Sequence, residues 1–311
     1  MSFTDLLTIG MPVYERKDYF LEALESAINQ TVKCKIIVVD NCSSHDYFKN
    51  LCEERKITYY RNETNIGLLP NFNRCFELAD TEYVMTLQDD DILDPVYVES
   101  FVDTNFKHPD IDVFFTEFIR KTPSGLLPHS HTLPFGYMDS GQKVIDFAIQ
   151  YKFGFPLINS SIRRSKFTGF YTKYNGSNDW LWIYENAGKF KFYGDSRVLY
   201  QFRQHGNQDT HNNLLNYYFT WPYIYEAILK ERTNDPELKK IASKRAFWSL
   251  MLLKSNAEKS AIIKFLNEDN IFSNYLNNRL NSDRVMKTIF DLPKGLINFT
   301  YRSLRKIGIT D

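Results

Sequence analysis

The 311-residue chain is long enough for one large α/β domain with an appendage, or for two modest domains, and its 43% hydrophobic residues supply a sizeable core. Its 38 Lys and Arg residues balance 38 Asp and Glu residues, so the formal net charge is zero. A neutral chain gives no support for general nucleic-acid binding, which needs a basic surface, and we expect no nucleic-acid partner.

Cysteine spacing and the N-terminal residues bear on the cellular compartment. The four cysteines form no CxxC pair and match no zinc pattern, which predicts free thiols and suits a reducing compartment. The sequence shows no signal peptide, and no apolar stretch approaches the ~20 residues of a membrane-spanning helix. These features predict a cytoplasmic protein.

The first half of the chain alternates short apolar strands with amphipathic helices. Asp18 is predicted to cap the first helix. Strands are predicted at 6–14, 35–40, 57–60 and 83–87, and helices at 18–30, 45–55 and 71–78. This alternation predicts a mostly parallel sheet flanked by helices, in which ligands bind at the carboxyl ends of the strands.

The second half begins with mixed elements and then becomes helical. The mixed part is predicted to hold a helix at 96–106, a strand at 111–116, a site-covering loop or hairpin at 121–141, helices at 144–151 and 179–187, and a strand at 198–202. After about Leu214 only helices are predicted, at 221–230, 236–254 and 257–266. We therefore predict an α/β catalytic domain over residues 1–214 and a helical C-terminal region over residues 215–311.

Polar residues collect at the ends of three predicted strands. The first strand ends in Pro12-Val13-Tyr14-Glu15, the second in Asp40-Asn41, and the fourth in Gln88-Asp89-Asp90-Asp91. Three consecutive carboxylates are electrostatically costly without a cation. Their oxygen atoms suit Mg²⁺ or Mn²⁺, which often share their shell with substrate phosphates. The alternative interpretation is a solvated acidic turn.

Asp40 follows a β-branched run and has two possible roles. Its carboxylate could accept hydrogen bonds from a nucleotide base or from ribose hydroxyls, or it could cap the helix that follows. The glycine fingerprint GxGxxG and the P-loop motif are both absent after the first strand. Their absence argues against dehydrogenases and P-loop ATPases.

In order along the chain, these segments resemble glycosyltransferase family 2, an inverting family with the GT-A fold, from about Leu6 to His205. The similar segments are the strand-and-proline motif at 8–15, the run around Asp40, the Asn-x-Gly segment that begins at Asn65, and the acidic run at 88–91. The resemblance implies that the first of these contacts the nucleotide and that Asp40 binds uracil or another base.

The acidic run departs from the family's Asp-x-Asp-Asp pattern because Gln88 stands where the first Asp is usual. The resemblance implies that Asp90 holds the metal on the diphosphate and that Asp89 or Gln88 faces the ribose. The departure leaves the division of roles among these three residues open. The donor-binding residues implied by the resemblance are Pro12, Tyr14, Glu15, Asp40, Asn65, Gln88 and Asp89.

The second half of the chain extends the resemblance. The segment 161–170 with Asn178-Asp179 is similar to the family's acceptor segment, and Asp179 matches the general base; it could also cap the helix that follows. Residues 199–205 resemble the closing strand with its Arg-x-His. His205 is therefore a second candidate metal ligand, or a structural or exposed histidine.

The segment from Pro293 to Ile309 reads as a basic amphipathic helix. Such a helix can lie on an anionic membrane, as expected for family members that act on lipid-linked acceptors. It can equally pack on the domain or on a partner subunit of a homo-oligomer. Both alternatives stay open from the sequence.

The combined interpretation is an inverting glycosyltransferase of the GT-A fold. We expect it to move a sugar from a nucleoside-diphosphate donor, UDP-sugar being favoured, to a hydroxyl of a glycan or lipid-linked glycan in bacterial surface polysaccharide synthesis, with Mn²⁺ or Mg²⁺. A nucleotidyltransferase would show a Gly-rich basic loop after the first strand, and Met11-Pro12-Val13-Tyr14 is not one. A non-catalytic nucleotide- or glycan-binding GT-A protein is the other alternative.

Overall fold

The computed structural model of the protein describes residues 5–128, 134–151, 160–206, 208 and 213–293. The chain divides into two compact units, each built from separated stretches of sequence. The first falls within Met1–Val144, Phe155–Thr172 and Asn186–Gly206, and the second within Ile145–Gly154, Lys173–Glu185 and Asn207–Asp311. The division at residue 214 expected from the sequence stays a prediction.

The first unit is built around one sheet. Its elements in chain order are β1 (Leu7–Val13), α1 (Phe20–Ile28), β2 (Lys35–Asp40), α2 (Tyr47–Arg55), β3 (Thr58–Arg61), α3 (Leu68–Leu78), β4 (Tyr83–Thr86), β5 (Ile92–Leu93), α4 (Tyr97–Lys107), β6 (Val113–Thr122), β7 (Gly125–Pro128), β8 (Gly136–Met138), β9 (Ser160–Arg163) and β10 (Phe192–Arg203).

The strands are ordered β3-β2-β1-β4-β9-β6-β10-β5, with β7 paired to β6 and β8 paired to β10. Among the ten strands of the described residues, six run in one direction, namely β3, β2, β1, β4, β6 and β10. Strand β9 runs against its neighbours β4 and β6. The mostly parallel sheet predicted from the alternating pattern is confirmed.

Side-chain alternation along the central strands separates the two faces of the sheet. Leu7, Ile9, Met11 and Val13 of β1 share one core cluster with buried residues of α1, α2 and α4. On the other face, α3 approaches so closely that a Cβ atom on Gly10 would lie 2.7 Å from the Cβ of Cys75. Glycine in β1 is thus the consequence of close packing between the sheet and α3.

The start of α1 differs from the prediction. The helix begins at Phe20, and Tyr19 precedes it with a positive φ of 71° and without a side-chain cap, so the assignment of Asp18 as the cap was wrong. The left-handed backbone at Tyr19 brings its ring beneath the guanidinium of Arg203, whose central carbon lies 4.4 Å from the ring centroid. This contact, rather than a capping side chain, accompanies entry into the helix.

The sequence pattern did not predict strands β9 and β5. Strand β9 opens with the buried polar residues Ser160 and Ser161, and the hydroxyl of Ser161 lies 3.0 Å from that of Tyr97. Strand β5 has only two residues, too few to show a period. The predicted loop or hairpin at 121–141 contains β7 and β8, and β7 forms a hairpin with β6.

The second unit is helical in its described part. It includes most of α5 (Gln142–Tyr151) and α6 (Asn178–Asn186), followed by helices Leu214–Tyr223, Pro236–Asn256, Lys259–Leu266, Ile271–Ser282 and Arg284–Asp291. A π-helix, Ile224–Leu229, continues the first of these beyond Pro222. Asn270 caps Ile271–Ser282 by accepting hydrogen bonds from the backbone N–H groups of Phe272 and Ser273, which gives one asparagine of this Asn-rich stretch a structural reason.

Two other expectations concern membranes and thiols. In the described ranges, no helix combines the length and apolar character needed to cross a bilayer. The predicted basic helix from 293 to 309 lies outside the described residues except for Pro293. All four cysteines, Cys34, Cys42, Cys52 and Cys75, are free thiols as predicted.

Candidate active site

The topology brings three strand ends together at one edge of the sheet. Strand β1 lies between β2 and β4 and runs parallel to both. The last pair in register joins Val13 to Asp40, and the backbone N–H of Asn41 donates to the carbonyl of Val13 at 2.9 Å. The loops after β1, β2 and β4 therefore begin side by side, as ligand-binding loops of α/β sheets do.

The acidic run forms a tight turn at the end of β4. The backbone N–H of Asp91 lies 3.3 Å from the carbonyl oxygen of Gln88. Asp89, Asp90 and Asp91 are 7%, 3% and 0% exposed, so the alternative of a solvated acidic turn is wrong. Burial of adjacent carboxylates demands a partner for each negative charge.

Both oxygens of the Asp91 carboxylate accept hydrogen bonds from residues of β10, the closing strand. Its Oδ1 accepts from the backbone N–H of Arg203 at 2.7 Å, and its Oδ2 accepts from the hydroxyl of Tyr200. Antiparallel pairing of β5 with β10 places these donors next to the turn. Burial, with the neighbouring carboxylates, raises the pKa of Asp91 well above its ordinary value. Asp91 thus fastens the acidic turn to the sheet.

Arg16 supplies the cation for the other two carboxylates. Its Nε lies 3.2 Å from Oδ2 of Asp89, and its Nη2 contacts Oδ1 of the same side chain, so the pair is bidentate. The same Nη2 lies 2.8 Å from Oδ2 of Asp90. Burial raises the pKa of Asp89 to about 6, although the Arg16 guanidinium opposes that shift.

His205 closes the site from the end of β10. Its Nε2 lies 2.9 Å from Oδ2 of Asp90 and 3.3 Å from Nη1 of Arg16. This nitrogen donates to Asp90 when protonated and accepts from Arg16 when it is not, so its tautomer decides which bond forms. The Tyr19 ring lies 5.0 Å from the imidazole, centroid to centroid. His205 is therefore a largely enclosed neighbour of Asp90 and Arg16, with 9% of its side chain exposed.

The residues around Asp90 include few side chains that could hold the metal implied by the resemblance. No group of three or more His, Cys, Asp or Glu side chains within the described part of the chain is placed to hold a metal ion. However, the Oδ1 atom of Asp90 is buried and has no hydrogen-bond partner among those residues. One carboxylate oxygen and one imidazole fit a divalent cation whose remaining ligands are diphosphate oxygens and water.

A strained backbone directs Arg16 into the cluster. Glu15 has a positive φ of 56°, and its N–H donates to the hydroxyl of Ser43 at 2.9 Å. Its carboxylate accepts from the N–H of Ser44 at 2.7 Å and from the Ser44 hydroxyl at 2.9 Å, and these bonds lower the pKa of Glu15. Glu15 therefore ties the loop after β1 to the loop after β2.

Asp40 is fully buried at the end of β2. Its Oδ1 accepts from the backbone N–H and the hydroxyl of Ser43, at 2.9 and 2.6 Å, and its Oδ2 accepts from the hydroxyl of Tyr59 at 2.6 Å. Asp46, rather than Asp40, precedes α2, so the capping alternative was wrong. The described carboxylate closes the turn after β2, and its contact with a base stays a prediction.

An asparagine network holds the segment that begins at Asn65. The side-chain nitrogen of Asn41 donates to Oδ1 of Asn65 at 2.8 Å, and Oδ1 of Asn41 accepts from the backbone N–H of Ile66 at 2.9 Å. Asn62 donates to both Asn41 and Asn71, at 3.0 and 2.9 Å. The network fixes the loop that follows β3 against the end of β2.

The remaining predicted donor residues lie at the same edge. Pro12 is buried and pairs in register with Val39. Tyr14 is 45% exposed, so part of its surface is accessible to a ligand. Gln88 is partly buried at the start of the acidic turn. The structure thus gathers the predicted residues of the first unit at one edge, while their roles toward a donor stay predictions.

Asp179 belongs to the second unit. It lies in the first turn of α6, one residue inside the helix, so it does not cap it. The turn is anchored by Ser177, whose N–H donates to the Thr220 hydroxyl at 3.4 Å and whose hydroxyl accepts from Nε1 of Trp221 at 3.0 Å. Burial raises the pKa of Asp179 to about 6, which suits a general base near neutral pH.

Sequence reasoning missed the roles of two residues at this edge. Arg16 stands one residue beyond the segment assigned to the nucleotide, and Asn41 stands next to Asp40. A signal for Arg16 was present, because three buried carboxylates require cations and Arg16 is the first arginine after β1. Asn41 was named among the polar strand ends, but its role depends on Asn62, Asn65 and Asn71, which only folding brings close.

Comparison with known sequences gives the family context. The model of glycosyl transferase family 2 matches residues 8–168. The chain is 28% identical over 107 residues to a putative colanic acid biosynthesis glycosyl transferase, WcaA, of Escherichia coli K12, over 33% of this chain but only 38% of that protein. It is 28% identical over 259 residues to an uncharacterized glycosyltransferase of Rickettsia typhi, over 75% of this chain and 74% of that protein.

Comparison with solved structures concerns the fold. S. aureus TarS 1–349 in complex with UDP-GlcNAc matches with a TM-score of 0.55 at 14% identity, over 95% of this chain and 79% of that chain. The crystal structure of TarS 1–349 alone matches with a TM-score of 0.54 at 15% identity, over 90% of this chain and 73% of that chain. The α/β GT-A fold predicted from the sequence is confirmed.

The hydrogen bond from Tyr200 to Asp91 is predicted to stabilise the acidic turn, and a substitution at Tyr200 tests this. Tyr200→Phe removes a hydroxyl that donates to a fully buried carboxylate. We expect the free energy of unfolding, measured by urea at neutral pH, to fall by about 1–3 kcal/mol. The matched control is Tyr60→Phe, at a tyrosine 38% exposed, which should change by less than ~0.5 kcal/mol. Equal changes in the two variants would contradict this role of Tyr200.

Proposed function

This chain belongs to glycosyl transferase family 2 and is a glycosyltransferase, and on that premise we propose that it transfers a sugar, with inversion, from a UDP-sugar to a hydroxyl group of a glycan. The observation that carries the proposal is the buried, unpartnered Oδ1 atom of Asp90, beside His205 at the carboxyl edge of the sheet. Such an edge is where α/β proteins bind nucleotides, and such an oxygen is suited to a cation that accompanies a diphosphate.

Asp90 and His205 would hold the divalent cation, Mn²⁺ or Mg²⁺. When bound, the cation supplies neutralisation of the negative charge that develops on the departing nucleoside diphosphate. Asp91 is not assigned to the cation, because both of its oxygens already accept hydrogen bonds within the fold. Asp89 is paired with Arg16 and is assigned to the donor side of the site.

Asp179 is proposed as the general base. In an inverting transfer the acceptor oxygen forms a bond with the anomeric carbon while the bond from that carbon to the diphosphate oxygen breaks. The acceptor hydroxyl loses its proton to the Asp179 carboxylate, and the leaving group keeps the electron pair of the broken bond. A carboxyl whose pKa burial raises to about 6 is basic enough for this step and still ionised at pH 7.

The donor and acceptor classes are inferred from relatives. TarS was crystallised with UDP-GlcNAc and with UDP, and UDP-GlcNAc is therefore the first donor to test. The E. coli relative is named for colanic acid biosynthesis, which supports a glycan of the bacterial surface as acceptor, free or lipid-linked. The proposed setting is the inner face of the plasma membrane, where the segment 293–309 would make the peripheral contact.

Binding and hydrolysis of nucleotide sugars test the assignment. We expect the wild-type protein to bind one UDP-sugar of a panel only with Mn²⁺ and to hydrolyse it slowly, with water in place of the acceptor. Asp90→Asn should lose metal-dependent binding. Asp179→Asn should keep donor binding and lose about 10²–10⁴-fold in hydrolysis rate. Calorimetry and UDP release measure the two properties.

The matched control is Asp80→Asn, at an exposed aspartate paired with Lys35 on the surface. It should leave donor binding and hydrolysis unchanged. If no donor binds with or without Mn²⁺, the proposed donor class is wrong. If a donor binds but the wild type shows no turnover with water or with any glycan, the protein acts as a binder rather than an enzyme on that donor.

The pH profile gives a second test of Asp179. The carboxylate must be ionised to accept a proton, so kcat at saturating donor should be level above about pH 6 and fall about tenfold per pH unit below it. The rate of UDP release measures this. The residual activity of Asp179→Asn should lack this acidic limb. The same limb in that variant would assign the titration to another group.

A further inference from the structure

The guanidinium of Arg16 is bound to two of the three carboxylates of the acidic turn, and Oδ1 of Asp90 is the one oxygen of these two carboxylates that it leaves unpartnered. It contacts both carboxylate oxygens of Asp89, Oδ2 of Asp90 at 2.8 Å, and Nε2 of His205 at 3.3 Å. The Arg16 side chain is 24% exposed, so it lies at the mouth of the site and not deep within it. A single positive charge thus bridges the proposed cation ligand and the proposed donor residue.

Without a further anion, Arg16 and a divalent cation would repel each other in this site. A cation bound to Asp90 and His205 would stand close to the guanidinium, and like charges in a partly buried site repel strongly. Asp89 and Asp90 carry at most two negative charges, whereas Arg16 and the cation together carry three positive charges. The surplus positive charge needs an anion, and the diphosphate of the donor is such an anion.

The backbone of the loop leaves the side chain of Arg16 as the part that can move. Glu15 is fixed by its bonds to Ser43 and Ser44. The backbone N–H of Arg16 donates to the carbonyl of Tyr14 at 2.6 Å. Beyond this anchored point, the flexible stem of an arginine can carry its guanidinium from a carboxylate to a phosphate, which it binds in the same bidentate manner.

We propose that Arg16 is an internal counter-cation that competes with the divalent cation for Asp89 and Asp90 and transfers to the donor diphosphate when cation and donor bind together. The proposal rests on the proposed function, because it takes the donor to be a nucleoside diphosphate sugar. Its consequence is an order of events: the site binds the cation weakly until a diphosphate is present to receive Arg16. Arg16 is thereby a donor-binding residue as well as a competitor of the cation for Asp89 and Asp90.

Titration of Mn²⁺ into the nucleotide-free protein, followed by the electron paramagnetic resonance signal of unbound Mn²⁺, tests this. Arg16→Gln keeps a polar side chain and removes the charge, and it should bind Mn²⁺ at least tenfold more tightly than the wild type. Arg16→Lys keeps the charge and should remain as weak as the wild type. The control is Arg74→Gln, at an exposed arginine of α3 paired with Glu77, which should have no effect.

Binding of UDP to the same variants is the second part of the experiment. With saturating Mn²⁺, Arg16→Gln should bind UDP at least tenfold more weakly than the wild type, because the diphosphate loses its guanidinium partner. Circular dichroism checks that each variant is folded. If Arg16→Gln unfolds, Arg16→Lys still tests the proposal. A lysine variant that binds Mn²⁺ tenfold more tightly than the wild type would contradict it.

The outcomes separate this inference from the function beneath it. Unchanged Mn²⁺ affinity in Arg16→Gln, with Mn²⁺ and UDP both bound by the wild type, overturns the role of Arg16 and leaves the proposed function standing. If the wild type binds no Mn²⁺ even with UDP, and Arg16→Gln binds none alone, the cation assignment itself is wrong and the role of Arg16 falls with it.

Discussion

Burial of three consecutive carboxylates at the end of β4 is the constraint on which the rest of the site depends. Each carboxylate has a different solution: Asp91 accepts hydrogen bonds from the closing strand, Asp89 binds Arg16, and Asp90 shares Arg16 with His205. None of these partners is near in sequence, so the acidic turn exists only because the sheet brings β1 and β10 to the same edge. The chemistry of the site follows from the one carboxylate oxygen that these partners leave unsatisfied.

The closing strand shows how tightly this constraint is built into the fold. Arg203 donates from its backbone to Asp91 and from Nε to the carbonyl of Asp90 at 2.7 Å, and its guanidinium pairs with Glu22 of α1 and lies over the ring of Tyr19. A single residue thus links the acidic turn, β10 and the start of α1. This link explains why the backbone at Tyr19 departs from the helical start that the sequence pattern indicates.

The loops after β1 and β2 act as one support. Glu15 bonds to Ser44, Asp40 bonds to Ser43, and Asn41 bonds to the segment at Asn65. Polar residues at the strand ends therefore have two roles in this protein. Some are accessible to a ligand, as the partly exposed Tyr14 is. Others form the hydrogen bonds that hold the loops in position.

The sequence was sufficient for the architecture of the first half and for the location of the site, because strand and helix periods and polar strand ends are local signals. It was insufficient for the hydrogen-bond and ion-pair partners of the site residues, because these partners come together only on folding. Asp91 looked like its two acidic neighbours and proved to be hydrogen-bonded within the fold, and the bonds of Asp40 to Ser43 and Tyr59 had no signal in the sequence around it. Arg16 escaped attention because its role depends on carboxylates more than seventy residues away.

A crystal structure with UDP and Mn²⁺, with anomalous scattering recorded at the manganese edge, is the most direct measurement of the central claim that this edge holds a metal-bound diphosphate. The account predicts an anomalous peak within bonding distance of Oδ1 of Asp90, with the guanidinium of Arg16 moved from the carboxylates to the diphosphate. A nucleotide bound elsewhere, or a nucleotide bound here while Arg16 still bridges Asp89 and Asp90 without manganese, would contradict it.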